Sequence, residues 1–233
     1  MFSSASGILL ILSLCLVMIA SATPTDVQQS WSTPSTNRLR VPVTLGVMSR
    51  CPDALLCETL FDNVIPRVAE KINLSLAYVA KFNESDPDFG VTCMHGPGEC
   101  AGDVQQLCVA KHTPMRTWWE FVMCQNYQGR NQIGEPNVAF KCARTAKIDW
   151  EGSGVGQCVG LDGSGTGYEG VRLLHDSVGV VKSLGITKSC SVVIDGEKVC
   201  VHDGTWKDCE NGHQVKDFVN QIEAAYDRLN GLS

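Results

Sequence analysis

Cys51 stands where a strand-like pattern gives way to a helix-like one, in Ser49-Arg50-Cys51-Pro52. A thiol at a helix N-terminus meets unpaired backbone N–H groups and the positive end of the helix dipole, and both favour the thiolate. Arg50 adds positive charge alongside. The chemistry such a thiolate offers is nucleophilic attack on a disulfide sulfur. A dithiol redox motif carries its second cysteine three residues on, but Ala54 occupies that position, so the sequence reads C-P-D-A and not C-x-x-C. Cys57 comes next, and six helical residues rise about 9 Å and turn about 240°. A disulfide needs Cα atoms within about 7 Å, so Cys51 and Cys57 pair only if the first turn unwinds. On position alone, a functional thiol and one half of an ordinary bridge remain equally open for Cys51.

The densest constellation is Cys93-Met94-His95-Gly96-Pro97-Gly98-Glu99-Cys100, followed by Asp103 and Cys108. Three thiols and an imidazole are zinc-ligand types, but zinc sites use short C-x₂₋₄-C pairs and an oxidising compartment favours disulfides. No metal is expected here. The segment resembles the signature of the gamma-interferon-inducible lysosomal thiol reductase family, Cys-Gln-His-Gly-x-x-Glu-Cys-x-x-Asn-x-x-x-x-Cys. Cys93, His95, Gly96, Glu99, Cys100 and Cys108 fall on it in register, with Met94 in place of Gln and Asp103 in place of Asn. The resemblance spans roughly Val41 to Leu229. It implies an α/β, thioredoxin-like fold with a helical insertion, and reduction of protein disulfides at acidic pH in the endocytic pathway or outside the cell. Cys51 matches the family's attacking cysteine, and Ala54 replaces the resolving one. Near the C-terminal strand the family has a Pro that is cis in thioredoxin-like folds. Cys190, in Lys188-Ser189-Cys190-Ser191, stands in its place, which removes the residue type for which cis costs little and sets another thiol near Cys51. Cys57 and Cys190 are thus the candidate resolving or neighbouring thiols.

The elements that must position these residues follow from periodicity. Leu39 to Val47 reads as a strand, with Pro42 marking an edge or a strand start. A helix follows, with Leu55, Leu56, Leu60, Phe61, Val64, Ile65 and Val68 on its apolar face and Glu58, Asp62 and Glu70 on its polar side. Leu74 to Ala80 reads as a second strand, giving a βαβ unit with parallel strands. Residues 81–98 read as a loop. A helical pattern from Cys100 to about Cys124 is interrupted at Pro114. Shorter helical stretches cover Asn137–Thr145 and Tyr168–Leu184. The Gly-rich tract 150–170 has no GxGxxG arrangement between strand and helix and reads as connections. Cys190–Ile194 and Lys198–His202 flank Asp195-Gly196, a strong hairpin signal, and an amphipathic helix runs from Gln214 to Leu229. The domain is expected over 39–230, with loop and helical insertion at about 85–185.

The composition fits one domain of an oxidising compartment. The chain has 233 residues, 12 of them Cys, and a net charge of −6, which gives no basic field for nucleic acid or an anionic membrane. Gly7 to Ala20 is an apolar run too short for a membrane span, and Ala20-Ser21-Ala22 completes a signal-peptide pattern over residues 1–22. Residues 23–38 are a Ser/Thr/Pro-rich leader, read as mobile. Signal cleavage removes Cys15 and leaves eleven cysteines, an odd number, so at least one thiol is unpaired within the chain. Five disulfides with Cys51 free is the simplest parity. Asn73 and Asn83 head N-x-S sequons, the second in the more loop-like setting. His112, His175, His202 and His213 show no metal or triad spacing and read as surface or capping residues. Trp118-Trp119 reads as core.

The leading functional reading is a thiol–disulfide oxidoreductase of the secreted or endosomal-lysosomal lumen, with Cys51 as nucleophile and disulfide-containing proteins as substrates. It needs no cofactor. An external thiol such as glutathione supplies the reducing equivalents if no internal cysteine resolves the mixed disulfide. The alternative is a non-catalytic, disulfide-stabilised binding module. It follows from the loss at Ala54 and expects Cys51 to be buried or bonded.

Overall fold

Alternating β-branched and small residues in Val41–Val47 make the first strand, β1, whose Val41, Val43, Leu45 and Val47 are buried together. These features come from a computed structural model, which describes residues 38–232. The expected signal peptide, and the leader up to residue 37, lie outside the described residues. Helix α1, Pro52–Val68, opens with Pro at its first position, where the missing N–H costs nothing. Strand β2, Ile72–Tyr78, pairs parallel to β1 with Val41 opposite Ile72. The chain therefore forms the βαβ unit.

The segment read as a loop contains a small separate ribbon, with β3 (Lys81–Phe82) antiparallel to β4 (Val91–Thr92). Helices α2 (Pro97–His112) and α3 (Met115–Tyr127) are separated at Pro114, followed by α4 (Pro136–Thr145). The Gly-rich tract includes a short helix, α5 (Val155–Val159), before α6 (Tyr168–Ser183). Strands β5 (Ser191–Ile194) and β6 (Glu197–Asp203) join through Asp195-Gly196. Both turn residues have positive φ, at 54° and 82°, the conformation a two-residue hairpin needs. Strand β7 (Thr205–Lys207) and helix α7 (Val215–Leu229) complete the chain.

The sheet order is β2-β1-β5-β6-β7, with β1 and β2 parallel and the other pairings antiparallel. β1 is an interior strand, and Pro42 lies at its start. One sheet face packs on α1 and α7 through Phe61, Phe218 and Ile222. The other carries Ala77 and Val193 against Val181 and Ile186 around the end of α6. Gly46 on β1 faces Ile186 so closely that a Cβ would reach within 2.6 Å of it.

Helix α1 differs from its expected faces. Leu56 is exposed, whereas Glu58, placed by pattern on the polar side, is 1% exposed. The cause is tertiary: α3 packs on α1, and Asn126 Nδ2 donates to Glu58 Oε2 at 2.7 Å. Five disulfides tie the elements. Cys57–Cys190 joins α1 to the residue before β5, and Cys93–Cys100 closes the start of α2. Cys108–Cys158 joins α2 to α5, Cys124–Cys142 joins α3 to α4, and Cys200–Cys209 anchors the segment after β7. Cys51 is the free cysteine among the described residues.

Candidate active site around Cys51

Cys51 is the N-cap of α1: its carbonyl accepts the Leu55 N–H at 3.2 Å while its own N–H donates to Met48 O at 2.9 Å. This turn presents Sγ at the helix N-terminus, 8% of the residue being exposed. Two oxygens face the sulfur, Ser189 O at 3.8 Å and Asp53 Oδ2 at 4.0 Å. Ser189 holds the loop from the other side, because its Oγ accepts the Met48 N–H at 2.9 Å. The Ser189–Cys190 peptide is cis although no Pro is present. Cys190 and Cys57, the two candidate neighbouring thiols, are bonded to each other and fully buried.

The 93–108 segment lies behind the loop that precedes Cys51. Glu99, with no exposed side-chain surface, accepts the Arg50 N–H at 3.2 Å and the His95 N–H at 3.1 Å. His95 Nδ1 sits 2.5 Å from the same carboxylate. Asp103 accepts the Ser49 N–H at 3.1 Å. Burial first, and then the charge of Glu99, push the Asp103 carboxyl well above its ordinary value. His95 is thus committed to Glu99, and Gly96 has the positive φ of 87° that starts α2. Cys93, Cys100 and Cys108 are all in disulfides, so the segment offers no thiolate to a metal. Elsewhere His112 and Glu169 approach Cys158, whose sulfur is bonded to Cys108.

Arg50 turns its head away from Cys51. Its Nε donates to Ile133 O at 2.7 Å and its Nη2 reaches Glu135 Oε1 at 3.3 Å. Gly98 leaves room for that guanidinium, with which a Cβ would collide. The positive charge near Cys51 comes from the helix N-terminus and from Arg130, whose Nη1 donates to Arg50 O at 3.4 Å.

The residues that pattern did not single out are Asp53, Ser189, His202 and Glu58. His202 Nδ1 lies 2.6 Å from Asp53 Oδ1, which also accepts the Gly204 N–H at 3.0 Å. One clue was available: Asp53 is a first-turn acid beside the thiol, and such acids find partners. Burial pushes Glu58 up to about 7, opposed by the hydrogen bond from Asn126. The other histidines are dispersed. His175 Nε2 is 2.7 Å from Phe89 O, His112 Nε2 is 3.5 Å from Glu169, and His213 stacks on Trp206. Trp118 and Trp119 are buried edge to face. Asn73 is exposed on β2, while Asn83 is half-buried with its Nδ2 donating to Thr92 Oγ1.

The family model described as gamma interferon inducible lysosomal thiol reductase (GILT) matches residues 42–146, from β1 through α4. GILT-like protein 1 of Drosophila melanogaster is 24% identical over 127 residues, covering 48% of this chain and 51% of that protein. The chain thus spans about half the length of that relative. MdbA, a thiol-disulfide oxidoreductase from Corynebacterium diphtheriae, superposes with a TM-score of 0.53 at 15% identity, covering 78% of this chain and 83% of that one. MdbA from Actinomyces oris gives 0.51 at 13% identity, covering 79% and 80%. At such identities the likeness shows the fold, which is α/β and thioredoxin-like with helical insertions and disulfide bonds.

Proposed function

The chain belongs to the GILT family through residues 42–146, and on that premise we propose that it is a thiol–disulfide oxidoreductase acting through Cys51. The observation that carries this reading is the setting of Cys51, a free thiol on the N-cap residue of α1 that faces the Ser189–Cys190 segment. The Cys51 thiolate attacks one sulfur of a substrate disulfide. A mixed disulfide forms, and the second substrate sulfur leaves as a thiolate that takes up a proton. Ala54 offers no thiol to resolve the intermediate, and Cys57 and Cys190 are oxidised to each other. An external thiol of the glutathione class therefore displaces the substrate, and a second one frees Cys51. One substrate disulfide becomes two thiols while two external thiols become one disulfide. The substrates are disulfide-containing proteins, and the compartment is an extracellular or endosomal-lysosomal lumen, a reading supported by the five disulfides and the exposed sequon at Asn73.

Cys51→Ser is expected to abolish reduction of a denatured disulfide protein at acidic pH in the presence of an external thiol. Undiminished turnover in that variant overturns the reading. A second reading, a non-catalytic binding module, is favoured by the 8% exposure of Cys51. Rapid labelling of native Cys51 by iodoacetamide counts against it.

A further inference from the structure

A carboxylate next to a reacting thiol poses a problem that the structure answers. Asp53 Oδ2 is 4.0 Å from Cys51 Sγ, and a negative charge at that distance opposes thiolate formation. The same carboxylate is gripped on its other oxygen by His202 Nδ1 at 2.6 Å and by the Gly204 N–H at 3.0 Å. His202 is 6% exposed, with Trp206 edge-on at 4.8 Å between centroids, so the pair is shielded from solvent on the imidazole side. We propose that His202 is a positioning residue for the Cys51 reaction: as imidazolium it neutralises Asp53 and so permits the thiolate, and as neutral imidazole it leaves Asp53 to suppress it. The proposal rests on the reading of Cys51 as the reacting thiol.

Other charges around the pair are committed elsewhere. From α1, His202 meets Asp53, and Cys51 lies beyond it. On its own strand, Asp203 points to the opposite face and binds Lys188, which precedes β5, and Lys207 of β7. His213, itself exposed, stacks on Trp206. Arg50 is bound to Ile133 O and Glu135, and Arg130 Nη1 donates to Arg50 O at 3.4 Å. His202 is the basic side chain in contact with Asp53 among the described residues. No covalent change is involved. The imidazole gains or loses a proton to water, and the thiol does the same.

The test is the iodoacetamide labelling rate of Cys51 in the folded protein between pH 5 and pH 8, where histidine side chains ordinarily change charge. His202→Gln is expected to slow labelling about tenfold at pH 5, with the difference from wild type narrowing toward pH 8. Asp53→Asn combined with His202→Gln is expected to recover the wild-type rate at pH 5, because the charge needing compensation is gone. Superimposable wild-type and His202→Gln profiles overturn the proposal. So does a double variant as slow as His202→Gln, because His202 then acts only as a prop. If His202→Gln does not fold, Asp53→Asn alone decides: faster labelling than wild type at pH 8 upholds the proposal, and an equal or slower rate overturns it. Turnover on a disulfide protein, measured in parallel with Cys51→Ser, reports separately on the oxidoreductase reading, since labelling follows the thiol whether or not the protein turns over.

Discussion

The Glu99 carboxylate accepts the backbone N–H of Arg50 at 3.2 Å, so a residue of the 93–108 signature holds the peptide that immediately precedes the free thiol. The same carboxylate takes the His95 N–H and the His95 ring, while Asp103 takes the Ser49 N–H one residue earlier. The signature is thus a buried clamp on the Ser49-Arg50-Cys51 turn. It gives Glu99 and Asp103 a role at the free thiol, although the cysteines between and around them are disulfide-bonded.

Removing the clamp carries a defined cost. Glu99→Ala leaves two part-buried N–H groups without their acceptor, each worth about 1–3 kcal/mol when fully buried and unpaired and less where water reaches it. The expected loss is about 2–4 kcal/mol, read from the urea midpoint at constant m-value. Glu99→Gln keeps one acceptor and is expected to lose less. Hydrogen exchange at the Arg50 amide is expected to accelerate in both, and an unchanged rate argues that the clamp does not hold the turn.

Glu58 makes stability depend on pH with an unusual sign. Its folded value of about 7 lies above its ordinary 4.5, so the native state holds the extra proton in that window. The contribution is complete below about pH 4.5 and declines as pH rises to about 7, by up to about 3 kcal/mol. Asp103, also raised by burial, acts in the same direction. Glu58→Gln is expected to remove most of the decline, so its Tm exceeds that of wild type at pH 7.5 and approaches it at pH 4.5. A wild-type and variant difference independent of pH argues that Glu58 is ionised in the folded state.

The βαβ unit and the hairpin were legible because Val/Leu alternation and Asp195-Gly196 act locally. Glu58 was not, because its burial comes from α3, which is brought onto α1 by the fold and not by spacing. His202 was hidden by a register shift. An unbroken two-residue hairpin sets Cys190 opposite Val201, but a bulge between Val192 and Val193 moves the pairing by one residue. Cys190 and His202 then exchange backbone hydrogen bonds at 3.1 and 2.9 Å, which brings the imidazole to the Cys51 side. Strands β3 and β4, two residues each, are too short to leave a periodic signal.

The Cys57–Cys190 bridge closes the longest loop, with a sequence separation of 133 residues. Chain-entropy reasoning assigns such a crosslink about 5 kcal/mol, and losses of about 2–5 kcal/mol are typical when native bridges are removed. Cys57→Ala with Cys190→Ala is expected to fall in that range, measured by thermal unfolding without external thiol. Because both sulfurs are fully buried, the bridge is also expected to survive concentrations of reductant that reduce Cys200–Cys209, whose Cys209 is only partly buried. Peptide mapping after partial reduction checks the order.

Ala54 is where the chemistry departs most from a dithiol site, and restoring the cysteine tests the single-thiol mechanism directly. In a helix the Cα atoms of residues three apart lie about 5 Å from each other, inside the range a disulfide spans. Ala54 is fully buried on α1, one turn from Cys51 at the N-cap, so Ala54→Cys places a thiol where an attacking sulfur is needed. The mixed disulfide then resolves within the chain: the introduced thiol bonds to the Cys51 sulfur and the substrate leaves as a thiol. In a single turnover of the reduced variant, release of the substrate thiol is expected to become independent of external thiol, which is then needed only to reduce the new disulfide for the next cycle. The oxidised variant is expected to lose Cys51 labelling by iodoacetamide. If Ala54→Cys forms the new disulfide and single-turnover release of the substrate thiol still scales with external thiol as in wild type, then release of the mixed disulfide is not the step that Ala54 limits.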